Sequence, residues 1–356
     1  MTLLGFPAGL DGKLVTHCLF YRPCKGVYGM CEVQNEAQNA SENVNKDKVP
    51  ETLYHYCSLD TFYNIVKNKS IWLSDLSKTN DSQELVWLKR TTEQRLLPKI
   101  EQKINHETDE WDEWKVTKQL IEHADLRIWC WGFCLSQKSD NLGQWRGYGD
   151  DGAGIAIGFK YNKLRDTIPS CVNMVLTRSD LMFEKVVYEA NENSFEKLLN
   201  EEEVGDCERK KIYETIDALL EELKYKENPV IKLSAEAKKM ILMELLAMKK
   251  GRFYKMKAFE EEEEWRVVFS MPREQFSECA VKCYNWPSPL YFKEFGFNNA
   301  FTSHLDIGIQ NFKDVIQSIT IGPKSKLTEA NIELILRWHG VYNESIKIEK
   351  SAASYR

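Results

Sequence analysis

The sequence lacks the features that most quickly assign a protein to a functional class. No apolar run approaches the roughly 18 residues that a membrane-spanning helix requires, and residues 1–10 lack the basic and apolar segments of a secretory signal. No Gly-x-Gly-x-x-Gly follows a predicted strand and no Gly-x4-Gly-Lys-Ser/Thr occurs, so neither a Rossmann nor a P-loop site is indicated. The net charge of −6 lacks the basic character of a typical nucleic-acid-binding domain. We therefore expect a cytoplasmic protein without a membrane segment.

The ten cysteines do not form the closely spaced pairs of a zinc ribbon. Three residues separate Cys130 from Cys134, and three separate Cys279 from Cys283. In a long chain without a secretory signal such cysteines are mostly buried thiols. We therefore expect no bound metal. The alternative is a small metal-binding knuckle formed by four residues near the N-terminus: His17, Cys18, Cys24 and Cys31.

Composition divides the chain into two parts. Residues 1–50 are predicted to be an N-terminal arm and flexible linker, since residues 34–50 contain almost nothing to bury. Residues 51–356 are predicted to form one α+β domain with a helical insertion at about residues 191–250, where Glu, Lys and Leu recur at helical spacing. Short strands interrupted by helices of unequal length predict a mixed sheet and not a doubly wound parallel one.

Strands are predicted from apolar, β-rich runs at residues 53–57, 71–73, 127–135, 154–159, 182–189, 265–270 and 316–321. Helices are predicted after Ser58, over residues 83–95 and 240–248, and after Thr328, with Ser58 and Thr328 as N-caps. Residues 271–301 are predicted to be irregular, and residues 345–349 to form an edge strand.

The first candidate site residue is His55, in the predicted strand Tyr54-His55-Tyr56. Alternation turns His55 to one side and both tyrosines to the other, and the helix that follows begins where backbone N–H groups receive an anionic ligand. The alternative is a buried histidine bonded to a neighbouring carbonyl. Asn80, Asp81 and Glu84 are candidate substrate-binding residues, with helix capping as the alternative role.

A glycine-rich segment from Gln144 to Gly154 supplies flat rings and a cation. Trp145 and Tyr148 offer surfaces for stacking on nicotinamide or adenine, the planar fork of Arg146 suits a phosphate, and Gln144 is a candidate substrate contact. The glycines permit close approaches that other residues obstruct. The alternative is a glycine-rich hairpin whose aromatic side chains belong to the core.

Five glutamates, residues 260–264, directly precede a predicted strand. Charge runs are usually solvated faces, but alternation places Glu262, Glu264 and Arg266 on one face. A carboxylate beside an arginine is held ionised in a fixed direction. That arrangement suits a hydrogen bond to a ribose hydroxyl, or stabilisation of the positive charge that develops when a glycosidic bond breaks.

These motifs, together with Ile71-Trp72-Leu73-Ser74 and Ile319–Gly322, occur in a fixed order along the chain. Over residues 52–325 the set resembles the bacterial family catalogued as domain of unknown function 2971, a name that implies no function. The order of a histidine on a strand, an aromatic residue near glycines and a glutamate on a strand is also similar to the His-Tyr-Glu pattern of ADP-ribosyltransferases.

The second resemblance implies a mostly antiparallel sheet core of the ADP-ribosyltransferase type, with NAD as substrate and no metal. It implies that His55 contacts the nicotinamide-side ribose, that Tyr148 or Trp145 stacks on nicotinamide, and that Glu264 is the catalytic carboxylate. In this scheme Glu262 orients the acceptor. The candidate cofactor-binding residues are His55, Tyr56, Trp145, Arg146, Tyr148 and Arg266.

We therefore expect an NAD-dependent ADP-ribosyltransferase or NAD glycohydrolase, modifying a macromolecular acceptor (protein or nucleic acid) as a bacterial toxin or antiphage effector. Two alternatives stay open. The first is a metal-dependent nuclease or phosphoesterase, because clustered carboxylates hold Mg²⁺; its candidate ligands are Asp81, Glu84, Asp150, Asp151 and Glu262. The second is a non-catalytic module that senses a nucleotide or a protein.

Overall fold

The computed structural model describes residues 49–78, 87–105, 112–122, 128–171, 180–189, 216, 233–272, 290–295 and 300–355. From Pro50 onwards these residues belong to one structural unit, residues 50–356. The predicted N-terminal arm, the four residues of the alternative metal knuckle and most of the predicted helical insertion lie outside the described residues. The candidate residues Asn80, Asp81 and Glu84 also lie outside them.

The first half of the described chain alternates strands with helices. Its elements are β1 (Thr52–Cys57), α1 (Leu59–Asn68), β2 (Ser70–Asp75), a 3-10 turn (Leu76–Lys78), α2 (Trp87–Glu101), α3 (Glu113–Glu122), β3 (Ile128–Ser136), α4 (Leu142–Gly147), a second 3-10 turn (Asp150–Gly152), β4 (Ile155–Lys160) and α5 (Tyr161–Cys171).

The second half is richer in strands. Its elements are β5 (Asp180–Lys185), β6 (Val187–Glu189), α6 (Ala235–Gly251), β7 (Tyr254–Met256), a 3-10 helix (Lys257–Glu262), β8 (Glu264–Pro272), β9 (Leu290–Phe295), β10 (Ala300–Gly308), α7 (Phe312–Val315), β11 (Ile316–Ile321), α8 (Glu329–Trp338) and β12 (Lys347–Lys350). None of the helices within the described ranges combines the length and the apolar character needed to cross a membrane.

Ten of these strands form one open, mostly antiparallel sheet, so the fold is mixed α+β as predicted. The main path of the sheet runs β12-β11-β4-β1-β3-β2-β10-β9. Strand β8 pairs with β3 along its whole length and carries β5 on its far side. The pair β11–β12 at one end of the path is parallel.

The sheet forks at one edge of β3, because β1 and β2 share that edge. Strand β1 pairs with β3 at Tyr54, which lies opposite Ser136. Strand β2 pairs with it nearer the middle, where Ser74 lies opposite Gly132. After Tyr54, β1 no longer pairs with β3 but stays paired with β4. The gap between the two arms of the fork holds the cavity described below.

One face of the sheet is covered by α1, α5, α7 and α8, which meet the strands in the largest hydrophobic cluster. Helix α1 shows why: the Ser58 side chain accepts a hydrogen bond from the Thr61 N–H, and the helix buries Phe62, Ile65 and Val66 on one stripe. A second cluster joins α2, α3 and α6. Helix α6 contains the predicted helix at residues 240–248 and extends it at both ends.

The predicted N-cap at Thr328 is confirmed as a reciprocal capping box with Asn331. The prediction of an irregular segment up to residue 301 is wrong, because residues 290–295 and 300–308 form β9 and β10. Strand β10 pairs with β2, with Leu305 opposite Leu73. Pairing with a distant strand, and not local composition, therefore fixes this part of the chain as a strand.

Gly154 lies where the loop after α4 meets the end of β1. A Cβ atom at this position would lie 2.1 Å from the Cys57 carbonyl oxygen and 2.8 Å from that of Gly149. The Gly154 N–H donates to Gly149 at 2.9 Å, and the Gly154 carbonyl accepts from Gly322 at 3.0 Å. The close approach expected of a glycine in this segment is therefore confirmed.

We expect Gly154→Ala to lower the free energy of unfolding by about 1–3 kcal/mol, because the added methyl group overlaps two carbonyl oxygens in a tightly bonded loop. Urea denaturation followed by circular dichroism measures the change. Gly147→Ala is the matched control, since nothing lies within 4 Å of a Cβ atom at that position and alanine favours the helix. Equal stability of the two variants would contradict the close approach.

Candidate functional site

A cavity of about 370 Å³ lies in the fork of the sheet. Strand β1 and the loop-helix segment of α4 line one side, and the end of β2 together with β10 lines another. Residues of β3 also line it, and the segment from β7 to the start of β8 contributes the charged groups. Six separate parts of the chain therefore converge on one concave space, the usual shape of a ligand site.

His55 closes the narrow end of the fork. Its Nδ1 atom lies 2.9 Å from the Cys134 carbonyl oxygen, and its ring centroid lies 4.3 Å from that of Phe133. Loss of hydration on burial lowers the pKa of His55 to about 4, against the opposing effect of the bond to Cys134. The ring is therefore neutral at pH 7. Because a carbonyl only accepts, the proton lies on Nδ1 and Nε2 is an acceptor.

Glu264 has both carboxylate oxygens held by cations. Arg266 donates to them from Nε at 2.7 Å and from Nη2 at 2.9 Å, and the Lys255 Nζ atom lies 2.9 Å from Oε2. Burial acts to raise the pKa of Glu264, but the charges of Arg266 and Lys255 outweigh it and lower the pKa to about 2. Arg266 itself is 1% exposed and also donates to the Arg252 carbonyl oxygen at 2.8 Å.

Glu262 reaches the same charged cluster from the 3-10 helix that precedes β8. Its Oε2 atom accepts from Lys255 at 2.7 Å, and its Oε1 atom accepts from the Tyr148 hydroxyl at 3.2 Å. The residue between the two carboxylates, Glu263, has a left-handed backbone with φ of 42°. The strand therefore starts at Glu264, not at Glu262. Burial raises the pKa of Glu262, against the lowering effect of Lys255.

Helix α4 presents Gln144 and Tyr148 to the cavity and turns Trp145 into the core. Trp145 is 0% exposed; its ring lies edge-on to Tyr56, with centroids 4.7 Å apart, and its Nε1–H donates to Asp140 at 2.6 Å. Tyr148 is 42% exposed. Of the two rings predicted as stacking surfaces, only Tyr148 is accessible from the cavity.

The cavity brings together six of the predicted site residues: His55, Tyr56, Gln144, Tyr148, Glu262 and Glu264. Trp145, Arg146 and Arg266 do not line it. The Arg146 guanidinium lies 5.0 Å from the centre of the Tyr355 ring, on the surface.

The carboxylates of the metal-dependent alternative are not brought together within the described part of the chain. Asp150 and Asp151 do not line the cavity. Asp151 instead accepts hydrogen bonds from Lys324, at 2.8 Å, and from Tyr355. The other two candidate ligands, at positions 81 and 84, lie outside the described residues.

Several residues of the cavity were not identified as site residues from the sequence. No sequence pattern indicates Lys255 as a site residue, because its role depends on two carboxylates that it contacts only in the folded chain. His304 and Thr302 lie on β10, a strand that was not predicted. Ser74, whose Oγ atom lies 3.0 Å from His304 Nδ1, ends the Ile71-Trp72-Leu73-Ser74 motif, whose sequence indicates no chemical role for it.

A model of the family described as "Protein of unknown function (DUF2971)" matches residues 144–267. The match supports the resemblance to that family, and the matched segment includes Gln144, Tyr148, Lys255, Glu262 and Glu264. Neither the curated proteins nor the solved structures contain a match to this chain.

We expect Glu264→Gln and Glu262→Gln to change stability in opposite ways. The pKa of Glu264 falls from 4.5 to about 2 on folding, so its stabilising effect is full above about pH 4.5 and is lost as the pH falls towards 2. Glu264→Gln leaves two buried cations poorly paired and should lower the free energy of unfolding by about 3 kcal/mol at pH 7. This loss should shrink as the pH falls below 4.5.

The raised pKa of Glu262 has the reverse sign. Folding disfavours its ionised form, so the carboxylate reduces stability above its ordinary pKa and the reduction disappears in acid. Glu262→Gln should therefore leave stability at pH 7 unchanged or increase it. Denaturant titrations of both variants and the unmodified chain between pH 3 and pH 7 measure the two effects. Parallel pH dependence in the two variants would contradict the assignment.

Proposed function

We propose that the cavity binds the nicotinamide-ribose end of NAD and that the protein transfers ADP-ribose from NAD to a macromolecular acceptor. One observation carries the proposal: His55, Tyr148 and Glu262, far apart in sequence, line the same cavity at the fork of the sheet. A neutral imidazole can bond to a ribose hydroxyl, and an aromatic ring and a carboxylate suit a cationic pyridinium ring.

In the proposed reaction the bond between ribose C1′ and the nicotinamide nitrogen breaks. Nicotinamide leaves with the bonding electrons, and the positive charge that develops on the ribose is stabilised by a nearby carboxylate. An acceptor oxygen or nitrogen then bonds to C1′ and loses its proton. The chemistry needs no metal ion, since the leaving group departs as a neutral molecule.

The contacts favour Glu262 over Glu264 as the carboxylate that faces the ribose. Both carboxylate oxygens of Glu264 accept hydrogen bonds from Arg266, and one of them also accepts from Lys255. The charge of Glu264 is therefore already balanced. Glu262 shares one oxygen with Lys255 and offers the other to the Tyr148 hydroxyl. We therefore assign Glu262 the role that the resemblance implied for Glu264, and assign Glu264 the role of holding Lys255 in place.

His55 and Tyr148 complete the proposed ligand contacts. With its proton on Nδ1, His55 offers Nε2 to a ribose hydroxyl as an acceptor. The half-exposed ring of Tyr148 is the stacking surface for nicotinamide, in place of the buried Trp145. The forked, mostly antiparallel sheet with a histidine on one arm supports a fold of the ADP-ribosyltransferase type. A role as a toxin or antiphage effector is part of the proposal and follows from the resemblance alone.

We expect Glu262→Gln to lower the rate of nicotinamide release from NAD by at least about 100-fold, because the charge that stabilises the transition state is removed. The assay incubates the purified full chain with NAD labelled in the nicotinamide ring and counts the released label. Glu260→Gln is the matched control: Glu260 belongs to the same acidic run but is exposed and does not line the cavity.

The same assay, together with a calorimetric measurement of NAD binding, decides between the proposal and the non-catalytic alternative. Equal loss in both glutamate variants would reject Glu262 as the facing carboxylate. NAD binding by the unmodified chain without nicotinamide release, with or without candidate acceptors, would favour a non-catalytic nucleotide sensor. Absence of both binding and release would reject the proposed function.

The pH dependence of turnover should reflect Glu262 and not His55. Because the pKa of His55 lies at about 4, the imidazole stays neutral throughout the range from pH 5 to pH 8. We expect kcat/KM to fall on the acidic side as Glu262 takes up a proton, at a pH above the ordinary pKa of a glutamate. An inflection near pH 6.5 that vanishes in His55→Asn would contradict this assignment.

A further inference from the structure

The wall of the cavity formed by the end of β2 and by β10 carries a cation and several hydroxyl or imidazole groups. Lys78 ends the 3-10 turn that follows β2 and lines the cavity with an exposed side chain. Leu76, in the same turn, is 2% exposed and anchors it in the core. Ser74 and His304 stand beside each other on this wall, with Oγ and Nδ1 3.0 Å apart.

The other basic side chains around the cavity are engaged by protein groups. Lys255 contacts two carboxylates and Arg266 contacts one of them. Arg252 donates to the Ser270 hydroxyl at 2.6 Å, and Lys138 lies 3.0 Å from a carboxylate oxygen of Glu263. Within the ranges that the structure describes, no such ion pair is formed by Lys78.

The carboxylate of Asp75, on the same wall of the cavity, is hydrogen-bonded within the turn that follows β2. Asp75 accepts hydrogen bonds from the Ser77 N–H at 2.9 Å and from the Ser77 hydroxyl at 2.7 Å, both on Oδ1. These bonds fix the backbone that carries Lys78 and occupy the Asp75 oxygen that faces the turn. Lys78 thus follows a hydrogen-bonded turn at the cavity, and among the described residues its ammonium group has no carboxylate partner.

We infer that Lys78 binds a phosphate group of the ligand, so that the cavity selects a nucleotide over the corresponding nucleoside. The inference rests on the proposed function, which places a pyridinium ring and its ribose near Glu262. The two charged ends of a nicotinamide nucleotide then match two different walls: the cationic ring faces a carboxylate, and the anionic phosphate faces an ammonium group with the Ser74 hydroxyl beside it.

The assignment replaces the phosphate contacts that the sequence indicated. Arg146 lies over the Tyr355 ring outside the cavity, and Arg266 is buried against Glu264. Lys78 is the basic residue that lines the cavity with an exposed side chain among the described residues. A single ammonium group gives point-charge recognition, which tolerates different phosphate geometries better than a planar guanidinium does.

The test measures the binding of nicotinamide mononucleotide and of nicotinamide riboside, which differ by one phosphate, to the full chain by isothermal titration calorimetry. We expect the unmodified chain to bind the mononucleotide at least about tenfold more tightly, as a charge-assisted hydrogen bond to phosphate provides. Lys78→Met should remove this difference by weakening the mononucleotide alone, and Lys78→Arg should keep most of it. Lys313→Met, at an exposed position outside the cavity, should change neither affinity.

Each outcome separates this inference from the proposed function. Equal affinity of the unmodified chain for the two compounds, or a preference that persists in Lys78→Met, overturns the role of Lys78 while the nicotinamide pocket stands. Loss of affinity for both compounds in Lys78→Met also overturns it, since a phosphate contact cannot affect the riboside. If the unmodified chain binds neither compound, the proposed function fails and this inference fails with it.

Discussion

Glu264 and Arg266 lie two residues apart on β8, and the arrangement of the cavity depends on their buried ion pair. The Arg266 guanidinium also bonds to the backbone at Arg252, after α6, and Glu264 also binds Lys255 on β7. The pair therefore joins the sheet to the segment that follows α6. Removing water from two charges is unfavourable, and the contacts offset this only if they are all made together. The position of Lys255, and through it that of Glu262, is fixed as a consequence.

A second constraint is the fork itself. Because β1 and β2 occupy the same edge of β3, neither can pair along the whole of it, and a gap in the sheet must be filled by side chains or left open. His55 fills the narrow end, where its ring replaces a neighbouring strand as the hydrogen-bond partner of the Cys134 carbonyl. The wider part stays open as the cavity. The same backbone separation thus explains both the low pKa of His55 and the space beside it.

Local sequence signals predicted the elements that depend on local physics. The N-caps Ser58 and Thr328 and the strand at residues 316–321 follow from short-range rules and are confirmed. Strand β10 was missed because its pairing with β2 is decided by residues more than 200 positions away. Lys255 was not predicted for a different reason: its two carboxylate partners are close in sequence, but the turn between β7 and β8 that brings the three side chains together leaves no local pattern. Which of Trp145 and Tyr148 is accessible depends on Asp140 and Tyr56, which no helical periodicity identifies.

Glu264 and Glu262 differ in how folding changes their pKa, and this difference distinguishes the cavity from a defect in packing. Glu264 is fully satisfied and its pKa is lowered, as in a residue retained for structure. Glu262 is held in the same cluster with its pKa raised by burial, so folding disfavours its ionised form. Residues that oppose stability in this way are expected where a ligand or a reaction needs them. Glu262 lines the cavity together with a neutral histidine and an accessible tyrosine, and this placement is why we propose that a cationic ligand faces it.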